Sequence, residues 1–157
     1  LRADDLSVVA TDHCPFCDAE KLLGAEDFRD APNGLGVIEH RMDLLFQGVR
    51  TGEISLQRWV ELCSTTPARL FGLQGRKGII APGADADIVI FNPDTEHILG
   101  ASSHHMALDH SVWEGIKVQG QSESVLSRGS FVIQDRHFVG RAGHGEFLKR
   151  SLPEPLR

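Results

Sequence analysis

Val8-Val9-Ala10-Thr11-Asp12-His13-Cys14-Pro15-Phe16 sets the architecture of this chain. The residues from Leu6 to Thr11 are short, mostly apolar and β-branched, the texture of a parallel strand buried on both faces. Such a strand delivers one carboxylate, Asp12, to its C-terminal tip and then breaks at proline. In α/β barrels the active site sits at the C-terminal ends of the parallel strands, so a carboxylate there reads as a metal ligand or proton carrier. The competing reading is a turn-forming Asx motif or a helix N-cap, common for Asp ahead of a proline-containing loop.

Downstream, a polar loop from Asp18 to Pro32 precedes Val37-Ile38, Met42, Leu45-Phe46 and Val49. That spacing, near 3.6 residues, predicts an amphipathic helix ending at Gly52. Ser55 is placed to cap a second helix carrying Leu56, Trp59, Val60 and Cys63. Thr66, with Pro67 at the first helical position and Gly72 just beyond Phe71, frames a third. At Gly75 the texture changes. Turns from Gly78 to Asp87 lead into a buried strand, Ile88-Val89-Ile90-Phe91. Val112 to Val118, Ser124 to Ser127 and Ser130 to Gln134 then read as short strands, with Asp135-Arg136-His137 turning into Phe138-Val139. Ser151 to Arg157 reads as an extended tail.

A single parallel strand with three helices cannot build its own sheet, because both faces and both edges need neighbours. The expectation is a C-terminal piece of an α/β protein followed by a β-rich module. The chain opens at Leu1 without a methionine and reaches its first strand within a few residues, so whatever Asp12 works with is expected upstream.

Composition narrows the partners. A net charge of -6 over 157 residues, with both signs dispersed, argues against nucleic acid or an anionic membrane. No apolar run approaches the roughly 20 residues that span a bilayer, and no basic-then-apolar leader precedes Asp4-Asp5, so a cytoplasmic location is expected. Cys14, Cys17 and Cys63 are too sparse for a disulfide framework. Cys14 and Cys17 form a CxxC, which admits redox or zinc chemistry, but no second CxxC completes a zinc site. Free thiols are the plainer reading.

Thr11-Asp12-His13-Cys14-Pro15-Phe16, Pro32-Asn33-Gly34 ahead of Glu39-x-Arg41-Met42, Thr66 through Leu73, and Lys77-Gly78 through Ile90 together resemble the C-terminal region of the dihydropyrimidinases and hydantoinases. These are cyclic-amide hydrolases of the amidohydrolase superfamily. The resemblance continues through His104-His105, Val112-Trp113-Glu114-Gly115 and Ser127-Arg128-Gly129 to Arg150, nearly the whole chain.

The resemblance implies an α/β fold in which residues 1–74 close a (β/α)8 TIM-like barrel with its last strand and outer helices. Residues 75–140 would be part of a small β-sandwich and 141–157 a tail. It implies two divalent metal ions, usually zinc, with Asp12 as one ligand and as the proton shuttle of ring opening. Asn33 would hydrogen-bond the cyclic ureide or imide through its backbone, where the local reading of Asn-Gly is a simple turn. The remaining ligands, including a carboxylated lysine, would lie on earlier strands, leaving this chain alone inactive. A homotetramer is implied too.

None of the eight histidines replaces those ligands. His13 points away from its neighbour Asp12 by strand alternation, which favours a supporting role. His104, His105 and His110 lie in a return segment where metal binding is not expected, and Met106 and Trp113 are expected to pack. Other readings are an allantoinase or dihydroorotase, a non-enzymatic dihydropyrimidinase-related scaffold protein, and a free-standing binding module. Asp12 and Asn33 argue against the scaffold, which lacks both. The Cys-Pro-Phe continuation argues against the other amidases, and the orphan strand against the module.

Overall fold

A computed structural model describes residues 1–153. Its helices are α1 (Asp18–Lys21), α2 (Arg41–Arg50), α3 (Leu56–Val60) and α4 (Thr66–Leu70). Ser55 opens α3 as expected, its hydroxyl accepting the Arg58 N–H at 3.0 Å. At the far end of α4, Leu73 N–H reaches Ala68 O at 2.7 Å and Gly72 N–H reaches Arg69 O at 3.1 Å, a Schellman motif with Gly72 at φ +67°.

Two expectations about helices need correction. Thr66 does not cap a separate helix, because a π-helical turn, Glu61–Thr65, joins α3 to α4 without a break. Pro67 lacks the N–H that would bond to Cys63, and widening the preceding turn accommodates that gap. The loop from Asp18 to Pro32 is also more ordered than expected, holding α1 and two 3-10 turns.

The strands are β1 (Ile88–Ile98), β2 (Lys117–Ser127), β3 (Ser130–Gln134) and β4 (His137–Phe138), in an antiparallel meander ordered β1-β2-β3-β4. Arg128-Gly129 and Asp135-Arg136 all have positive φ, the two-residue connection that matches strand twist. β1 runs past the expected Phe91 because pairing resumes at Glu96 with Gln119. Pro93, which cannot donate to a ladder, sits in the irregular stretch between. Val112 to Gly115 is turn rather than strand, and β2 begins only at Lys117.

Leu6 to Thr11 forms no strand here. A strand exists through its ladder, and no described residue pairs with this stretch; the bridge nearest to it joins His13 to Leu35. Val9 instead packs against the core formed by Phe46, Ile54, Trp59 and Leu62. Phe91 of β1 locks the helices to the sheet, its ring 4.7 Å from Phe46 and 4.9 Å from Trp59. Gly120 makes this approach possible. At φ +96°, a Cβ on it would lie 2.7 Å from Phe46 Cε1 and 2.9 Å from Phe91 Cε1. Next to it, the Gln47 amide donates to Gln119 O at 2.9 Å and accepts Gln119 N–H at 3.3 Å.

Residues 141–153 hold no helix or strand, and Ser151 N–H is tied to Gly72 O at 2.9 Å. The rest of the expected tail, 154–157, lies outside the described residues. The accessible surface is 10426 Å², whereas a compact monomer of 17.2 kDa exposes roughly 7800 Å². Much apolar side-chain area, including Leu6, Phe28, Ile80 and Phe138, stands in solvent.

Candidate active site

Asp12 adopts φ +47°, the left-handed region. For a residue with a Cβ that conformation costs about 1–2 kcal/mol, though Asp tolerates it better than most. The other positive-φ residues bearing a Cβ, Asp4, Arg128, Asp135 and Arg136, lie in turns. Asp12 does not, and its carboxylate is exposed, with no hydrogen bond or ion pair among the described residues. The backbone at Asp12 is strained, and its carboxylate is left without a protein partner among the described residues.

Asn33 lies on the neighbouring segment. Cys14 N–H donates to Leu35 O at 3.1 Å, and His13 Nδ1 accepts Val37 N–H at 3.2 Å. These ties run the 12–16 and 33–38 segments side by side, through the parallel bridge of His13 with Leu35. Gly34, at φ +121°, permits the approach: a Cβ there would lie 2.7 Å from Cys14 O. Asn33 is exposed, and neither its N–H nor its C=O is hydrogen-bonded among the described residues. Lys21, at the end of α1, was not foreseen. Its ammonium donates to Pro32 O at 2.5 Å and Gly34 O at 2.7 Å. The sequence signal was slight, one lysine between the two motifs.

Glu39-x-Arg41 proves to be structural. Arg41 donates to Val9 O at 3.1 Å, fixing the stretch that leads to Asp12. Glu39 accepts the His105 backbone N–H at 2.6 Å and lies 2.7 Å from His105 Nδ1. Behind them, Asp43 Oδ2 sits 3.2 Å from His97 Nε2. Burial, with Glu39 adding, pushes the Asp43 carboxyl up to about 7. Burial, with the Arg136 charge adding, pushes His97 down, so neither group favours its charged form. Burial also pushes His40 down, against the pull of Glu39.

The Asp85-Ala86-Asp87 run is a clasp rather than a site. Lys77 and Arg76 hold Asp85 at 2.8 and 3.0 Å and keep its carboxyl below the usual range, and Arg128 N–H donates to Asp87 at 2.8 Å.

All three thiols are free. Cys17 stands at the N-cap of α1, with Cys14 against Gly34, and burial pushes the Cys63 thiol up. His104 Nε2 lies 3.4 Å from His110 O. Met106 and Trp113 are half-buried. Among the described residues only Asp18, Asp109 and His110 gather three groups with metal-ligand reach, and both acids are exposed. The His110 ring lies 3.0 Å from Asp18 and 3.1 Å from Asp109, which accounts for the cluster as ion pairing. Asp12 is thus a fit for one ligand of a metal centre, and the described residues do not complete that centre.

Residues 1–132 match the amidohydrolase family model. This chain belongs to that family, whose members are generally metal-dependent hydrolases. Within it, the chain is 51% identical over 157 residues to a D-hydantoinase of Streptomyces coelicolor, covering 99% of this chain and 34% of that protein. It is 46% identical to a D-hydantoinase of Geobacillus stearothermophilus, covering 96% of this chain and 32% of that one. The crystal structure of dihydropyrimidinase from Brevibacillus agri superimposes with a TM-score of 0.95 at 46% identity, over 99% of this chain and 34% of that one. The fold is therefore of the α/β amidohydrolase type, and the chain spans about a third of the length of the curated relatives it matches.

Proposed function

We propose that this chain supplies the C-terminal part of a metal-dependent hydrolase that opens dihydropyrimidine or 5-substituted hydantoin rings to N-carbamoyl amino acids. The observation that carries the reading is the pairing of a free, left-handed Asp12 carboxylate with a neighbouring loop on which Asn33 leaves its N–H and C=O unused. A cyclic ureide offers a C=O and an N–H side by side along one edge, which such a backbone pair can read. Asp12 takes the proton of the attacking water and returns it to the departing ring nitrogen, one carboxylate serving both halves of the reaction. Two bound divalent ions, zinc by resemblance, would acidify that water and polarise the ring carbonyl, with Asp12 as one protein ligand.

In this reading residues 1–74 complete a (β/α)8 barrel, residues 75–140 join a β-sandwich, and 141–157 form a tail. Leu6 to Thr11 gains its ladder from strands outside this chain, which also cover the exposed apolar area. The complete enzyme is read as a cytoplasmic homotetramer acting on small molecules, with no nucleic-acid or membrane partner. No helix among the described residues is long and apolar enough to cross a membrane.

The test is to purify the complete protein and offer it dihydrouracil and 5-substituted hydantoins, with and without a chelator. Metal-dependent formation of the N-carbamoyl product is expected. Failure to open either ring with zinc, manganese or cobalt supplied would overturn the reading.

A further inference from the structure

Two carbonyls of one loop converge on a single ammonium. Lys21 Nζ donates to Pro32 O and to Gly34 O, the carbonyls on either side of Asn33. The same ammonium lies 5.2 Å from the centroid of the Phe16 ring, which belongs to the segment that follows Asp12. Lys21 thus ties the two motif segments together from the end of a short helix.

The geometry dictates where Asn33 faces. Peptide groups are planar, and this chain has no cis bond among its described residues, so Asn33 N–H points opposite to Pro32 O. With Pro32 O drawn onto the ammonium, Asn33 N–H is turned away from it and left free. Hydrogen bonds from a charged donor are roughly twice as strong as neutral ones, and two of them converge here. The loop has no side chain at Gly34 to hold it by packing, and a Cβ there would meet Cys14 O at 2.7 Å.

We infer that Lys21 is a positioning residue, holding the Asn33 backbone in the orientation that reads the ureide edge of the substrate. The inference rests on the proposed role of Asn33. Backbone contacts to the ring edge are made in the ground state and the transition state alike, so losing their alignment raises KM more than it lowers kcat. A purely structural lysine would instead lower the amount of folded enzyme at unchanged KM.

The experiment measures KM and kcat for ring opening by the complete, metal-loaded wild-type protein and its Lys21→Met and Lys21→Arg variants, with thermal melts of each. Lys21→Met should raise KM roughly tenfold or more with kcat within about threefold, and Lys21→Arg should recover part of the loss. An unchanged KM in Lys21→Met overturns the inference, as does a loss of kcat alone. If Lys21→Met does not fold, Lys21→Gln, which removes the charge and shortens the donor, decides: a raised KM supports the clamp and a wild-type KM overturns it. Failure of the wild-type protein to open the rings would instead refute the proposed activity, so the two failures are distinguishable.

Discussion

His13 Nδ1 accepts the backbone N–H of Val37 at 3.2 Å, tying the residue next to Asp12 to the loop that presents Asn33. The contact uses the Nδ1 lone pair of the ring as acceptor. His13→Phe, which keeps the ring and removes the acceptor, should weaken substrate binding by about 1 kcal/mol, roughly fivefold in KM. His13→Asn places an amide oxygen near the Nδ1 position and should be milder. Steady-state kinetics of both variants in the complete protein check this.

The buried Asp43–His97 pair makes stability depend on pH in a direction that can be worked out. Asp43 is raised to about 7 from 3.8, so its carboxyl stays protonated in the fold after it has ionised in the unfolded chain. Its contribution is present below about pH 4 and is lost as pH rises towards 7, at about 1.4 kcal/mol per pH unit at most. His97 and His40, both lowered, act oppositely and lose their contribution as pH falls below 6.5. Asp43→Asn removes only the first effect. Thermal melts from about pH 5 to about pH 8 should show the variant gaining on wild type as pH rises.

Gly120→Ala puts a methyl group against Phe46 and Phe91 at a backbone angle that alanine rarely adopts. Overpacking alone costs about 1–3 kcal/mol, and the φ penalty adds about 1–2 more. Chemical denaturation should show a loss of that order, because these rings fasten α2 to the sheet.

Expressed by itself, the 157-residue chain should bind a hydrophobic dye strongly or aggregate, and it should not open either ring. Its exposed Leu6, Ile80 and Phe138 motivate this expectation. A cooperative, monomeric thermal transition without dye binding would contradict it.

What could be read from sequence follows the range of the forces involved. The Ser55 cap, the Gly72 stop and the short hairpin turns depend on a few adjacent residues, and all were legible. Pro67 does fall in the first turn of α4, as proline at a helix start should, but the preceding turn widens into a π-helix and joins it to α3, which no local pattern signals. The strand at Leu6 to Thr11 depends on partners that no local pattern supplies, so its apolar texture predicts a ladder that this chain does not form. Asp12 and Asn33 were legible as a motif, but the backbone strain at Asp12 was not. Lys21 was missed because its partners are carbonyls eleven and thirteen residues away, which no side-chain pattern encodes.

The central claim, that Asp12 carries the proton of ring opening, is tested most directly by Asp12→Asn in the complete protein. The amide keeps the shape of the side chain and still tolerates the left-handed backbone, so the fold should persist by circular dichroism while turnover of dihydrouracil or a hydantoin falls by at least about a thousandfold. Ring opening by a folded Asp12→Asn protein at near the wild-type rate would contradict it.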